Sequence, residues 1–114
     1  YISLRLIYFD HSQITWDRMN YSMKNQELGP KTLKVFFKST EAIDDPRLPQ
    51  VFSDLNTPIL ILGGKEDQVV DPLYMEELND VLPNSKLLLH PQGGHHLMED
   101  QPHWVAKKVR AFLE

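Results

Sequence analysis

The chain's 114 residues are 41% hydrophobic and 25% charged, a composition that fits one modest globular core and excludes a disordered or fibrous chain. The 12 Lys and Arg against 16 Asp and Glu give a net charge of −4 without a basic stripe, so no nucleic-acid partner is expected. The absence of Cys excludes disulfides, thiolate metal sites and a cysteine nucleophile, and suits a cytoplasmic location.

No apolar run approaches the roughly 18 residues of a membrane-spanning helix, and the opening YISLRLIYFDHS has neither an initiator Met nor the pattern of a signal peptide. The expectation is a piece of a longer protein with no membrane partner. Through the first 40 residues apolar side chains recur at helical spacing: Leu4, Ile7 and Tyr8, then Ile14, Met19 and Met23, then Leu33, Phe36 and Phe37. Two or three helices are predicted. Asp10-His11-Ser12 separates the first from the second, which Thr15 can cap, and Gly29-Pro30 precedes a further one at Lys31 to Thr40. The run Asp44-Asp45-Pro46-Arg47-Leu48-Pro49 reads as a linker between an N-terminal unit, 1–45, and a C-terminal unit, 46–114.

Beyond the linker the pattern becomes strand, helix, strand, helix. Pro58-Ile59-Leu60-Ile61-Leu62, closed by Gly63-Gly64, has the form of a parallel strand buried on both faces. Asp71-Pro72 supplies an N-cap and a first-turn proline for a helix whose inward stripe is expected at Tyr74, Leu78, Val81 and Leu82. Lys86 to His90 is the second strand. After Pro91-Gln92-Gly93-Gly94, a helix from about Pro102 carries Val105, Val109, Phe112 and Leu113 as its apolar stripe. Two successive βα units imply an α/β fold with a parallel sheet.

Functional groups in such sheets collect beyond the carboxyl ends of the strands, where loops face solvent on a rigid support. Asp67 follows the first strand in Gly64-Lys65-Glu66-Asp67, and His95 follows the second in Gly93-Gly94-His95-His96. An acid and an imidazole on one rim can form a base whose tautomer the carboxylate fixes. Glu66 and Asp71 are rival acids, although Asp71 is better explained as a helix cap, and His96 is the rival base. A metal site from His90, His95, His96 and His103 has no supporting ligand pattern, and no cofactor is expected.

The stretches TPILILGGKEDQVVDP and LPNSKLLLHPQGGHHLMEDQPHWVAKKVRAFL resemble the C-terminal signature of the α/β-hydrolase superfamily. The likeness spans Asn56 to Glu114. In that superfamily the order is nucleophile, acid, histidine, which implies Asp67 as triad acid and His95 as triad base, trailed by His96, Glu99 and Pro102. The string LRLIYFDHSQITWDRMNYSMKN is similar to the lid helices of superfamily members that cleave carbon–carbon bonds, although those carry Trp where His96 stands. Tyr8, Trp16, Met19, Tyr21 and Met23 would either pack the lid or line an acyl or aromatic pocket.

No serine lies in a Gly-x-Ser-x-Gly elbow, so the nucleophile and oxyanion hole are expected in a missing N-terminal part of the same parent protein. The chain alone should have no triad chemistry. The resemblance implies a serine hydrolase acting on ester-type or carbon–carbon bonds of small apolar substrates. A dehalogenase or epoxide hydrolase with an Asp nucleophile, or a non-catalytic interaction fragment, are the alternatives. An uncovered strand edge would also favour pairing with a second copy of the chain.

Overall fold

The structure, a computed structural model, describes residues 2–26 and 47–114. Helix α1, Ile2–Ile7, leads into a 3-10 turn at His11–Gln13, and α2 covers Trp16–Gln26. The break between them is built as the sequence suggests. Asp10 accepts a hydrogen bond from the Ser12 amide at 2.9 Å, and Thr15 Oγ1 accepts from the Arg18 amide at 3.3 Å, each satisfying a donor that has no carbonyl partner in a first turn. The Gly29-Pro30 break, the helix expected at Lys31 to Thr40 and the side chains of Leu4 and Met23 lie outside the described residues.

Of the expected linker, Asp44 to Pro46 lie outside the described residues. Helix α3 occupies Leu48–Ser53, so the Pro-containing stretch ends inside a helix; Pro49 is tolerated because the first turn needs no donor from it. Strands β1, Ile59–Gly64, and β2, Ser85–His90, then pair in parallel, with Ile59 opposite Ser85 and Gly64 opposite His90. Between them runs α4, Pro72–Val81, capped by Asp71, whose side chain accepts from the Leu73 amide at 2.9 Å. A single-turn helix α5, Leu97–Asp100, and the closing helix α6, Pro102–Leu113, complete the chain.

Packing departs from the sequence expectation in three places. Ile59 to Leu62 are half-buried rather than buried on both faces, because the described sheet has two strands and each keeps an unpaired edge. On α4, Tyr74 and Val81 are exposed; the inward face is instead Met75, Leu78 and Leu82, with the Met75 sulfur seated over Gly63. On α6 the predicted stripe is largely outward, with Val109, Phe112 and Leu113 all exposed. A helix can bury only the arc that its rotation presents to the sheet, and the full stripe needs more cover than β1 and α5 give it. Among the described residues, the buried apolar side chains are Tyr8, Leu82 and Leu97.

Candidate active site

Two glycines bring the ends of the strands together. Gly64, the last residue of β1, lies so close to the loop after β2 that a Cβ there would sit 1.9 Å from the Gly93 carbonyl oxygen. The contact is held by backbone bonds from Glu66 N to Gly93 O at 3.1 Å and from Lys65 N to His90 O at 2.9 Å. Only a residue without a side chain permits that approach. Its consequence is that the turn bearing Asp67 and the loop bearing His95 share one rim.

On that rim Asp67 Oδ2 lies 3.0 Å from His95 Nδ1. The other carboxylate oxygen accepts from the amides of Val69 at 2.8 Å and Val70 at 3.0 Å. The Asp67 side chain is 3% exposed and His95 34%, so a buried acid holds a ring that still reaches solvent. Burial opposes ionisation of Asp67 most strongly, but the Val70 amide, the His95 ring and the Val69 amide together outweigh it and hold the carboxyl below its ordinary value. With an ionised acceptor at Nδ1, the ring carries its proton there and leaves Nε2 free to accept another.

The rivals occupy other positions. Asp71 is spent on the cap of α4, and Glu66 is exposed and contributes its amide to the loop contact. His96 stacks on His95, with ring centroids 5.8 Å apart, and its Nδ1 lies 3.2 Å from Glu99 Oε1, within ion-pair distance but off the direction of a hydrogen bond. His90 accepts from the Gln92 amide and packs edge-on against Trp104. Among the described residues no group of three His, Asp or Glu side chains converges so as to hold a metal ion.

Beside the histidines, the N-terminal helices close a cleft of about 540 Å³ lined by Tyr8, Arg18, Tyr21, His96 and Glu99 among others. Of the aromatic and Met candidates for a pocket, Tyr8 and Tyr21 line it, whereas Trp16 is 68% exposed. The cleft is not purely apolar. Tyr8 donates to Glu99 Oε2 at 2.8 Å, Arg18 pairs with the same carboxylate, and the Arg18 guanidinium lies over the Tyr8 ring. Burial, then the hydrogen bond to Glu99 and its charge, push the Tyr8 phenol up, so it stays a donor. This cluster had no sequence signal, because 91 positions separate Tyr8 from Glu99.

Parallel strands with flanking helices and an acid–histidine pair beyond their carboxyl ends define the C-terminal part of an α/β-hydrolase fold. The profile of the TAP-like protein family of α/β-hydrolases matches residues 36–114, and the chain belongs to that family. It is 30% identical over 66 residues to the uncharacterized hydrolase YugF of Bacillus subtilis, covering 58% of this chain and 24% of that protein. Lipase 3 of a Moraxella species is 25% identical over 100 residues, covering 75% of this chain and 32% of the lipase. The crystal structure of BpoC from Mycobacterium tuberculosis superposes with a TM-score of 0.57 at 30% identity, over 61% of this chain and 26% of BpoC. The chain thus spans about a quarter to a third of the length of the curated relatives it matches. No helix among the described residues is long and apolar enough to cross a membrane.

Proposed function

We propose that this chain carries the acid and base of a nucleophile–His–Asp hydrolase, with His95 as general base and Asp67 as its orienting acid. The observation that carries the reading is the 3.0 Å contact from Asp67 Oδ2 to His95 Nδ1, made by a carboxylate whose other oxygen is locked by two amides. That geometry fixes the tautomer in which Nε2 takes the proton from a nucleophile, and it stabilises the imidazolium that results. Nε2 then returns the proton to the leaving group. The nucleophile and the donors for the oxyanion come from a segment outside these residues, since no Gly-x-Ser-x-Gly elbow occurs within them.

Serine is the nucleophile we favour and ester bonds of small apolar substrates the target, supported by the likeness to Lipase 3. The N-terminal helices act as a lid over the site, and the cleft shared by Tyr8, Tyr21 and His96 receives part of the substrate. The test is kinetic, in the protein that includes the nucleophile. His95→Ala and Asp67→Asn should each lower kcat for a short-chain p-nitrophenyl ester by on the order of 10⁴-fold, the size of effect removal of a triad member produces. Activity within tenfold of the parent in either variant would overturn the assignment.

A further inference from the structure

We propose that Asp100 is a positioning residue for His95, a role that rests on the reading of His95 as the general base. Its carboxylate gathers three backbone donors from two distant segments. Oδ2 accepts from the Gly94 amide at 2.8 Å and the Phe9 amide at 3.0 Å, and Oδ1 accepts from the Asp10 amide at 3.2 Å. Gly94 immediately precedes His95. The same carboxylate that fixes the base's neighbour therefore also fixes the segment that leaves α1.

The packing around Gly94 shows why a fixed point is needed there. A Cβ on Gly94 would lie 2.7 Å from the Ile7 carbonyl oxygen and 2.8 Å from the Phe9 nitrogen, so two backbones meet with no side chain between them. Their amides point into a space that only an acceptor can fill. A carboxylate suits three converging N–H groups because every lone pair on it accepts and none of its atoms donates. Asparagine in its place would turn an NH₂ group against at least one of them.

Other bonds keep the loop attached without Asp100. His96 N donates to Ile7 O at 3.1 Å, Glu66 N to Gly93 O at 3.1 Å, and Gln101 Nε2 to Gln92 O at 2.6 Å. Removal of the Asp100 carboxylate thus frees the Gly94 amide while the fold around it persists. The His95 ring then loses the fixed backbone that holds Nδ1 against Asp67.

The experiment reads the ring proton itself, by ¹H–¹⁵N nuclear magnetic resonance on the labelled protein that includes the nucleophile. The wild type should show a low-field His95 Nδ1 proton that is absent from Asp67→Ala. Asp100→Ala and Asp100→Asn should both lose that resonance through exchange with water while keeping the wild-type far-ultraviolet circular dichroism. Retention of the resonance in either folded Asp100 variant overturns the positioning role and leaves the Asp67–His95 pair intact. Absence of the resonance from the wild type overturns the pair itself and this role with it. If both variants lose the wild-type dichroism, Asp100 is a general structural residue and the proposal fails; if one does, the other decides.

Discussion

Asp67 joins the local chain to the distant one. Its Oδ1 bonds to Val69 and Val70 are the Asx-type turn that a loop aspartate makes in any protein, and they would be formed without His95. The Oδ2 bond is the one that depends on the sheet. Because the folded carboxyl sits below its ordinary value, the unfolded chain binds the proton more readily. The stabilisation is therefore complete above the ordinary carboxylate value of about 4 and is lost as pH falls below it through the depressed folded value. Urea titrations should show the wild-type midpoint falling more steeply than that of Asp67→Asn as the pH drops below about 4. Parallel slopes would mean that Asp67 does not carry this linkage. At this scale the sequence was informative: Asp71 as a cap and the position of Asp67 on the rim were both legible, whereas Asp100 and Arg18 were not.

The elements β1 and β2 and the helix between them follow from pattern: a continuous apolar run, an Asp-Pro helix start, and a second apolar run. What pattern could not supply was the rotation of each helix, which left Tyr74, Val81 and Leu113 outside. The glycines at the end of β1 test the packing directly. A Cβ at Gly63 would meet the Met75 sulfur at 2.2 Å, the end of a flexible side chain that can swing away, whereas at Gly64 it would meet the Gly93 backbone. Gly64→Ala should therefore cost about 1–3 kcal/mol, the range for overpacking, and Gly63→Ala distinctly less. Chemical denaturation of the two variants decides it. An equal or reversed order would show that the loop after β2 yields more easily than Met75.

Among the described residues as a whole, burial is thin. No described side chain is less than 2% exposed, and Met98, Val109, Phe112 and Leu113 are exposed on the last two helices. Met98, Val105, Val109 and Leu113 line an open groove of about 550 Å³ there. Beside it stands a two-stranded sheet whose outer edges have no strand partner among the described residues. Such edges and apolar faces are templates for pairing with another chain. The 114-residue chain is expected to self-associate at micromolar concentration and to become monodisperse when an added nucleophile-bearing α/β-hydrolase segment covers them. Sedimentation velocity checks this. A cooperatively unfolding monomer of 13.3 kDa would show that the chain closes its own core.

The sequence by itself determined the strand–helix–strand–helix order beyond the linker, the strand-end locations of Asp67 and His95, and the caps at Thr15 and Asp71, because each depends on residues within a few positions of one another. The tertiary structure alone decided which side chains meet. The Gly64–Gly93 approach, the Tyr8–Arg18–Glu99 cluster and the three amides on Asp100 all join segments far apart in the chain. Their pairing is set by sheet register and helix rotation, which no local pattern encodes.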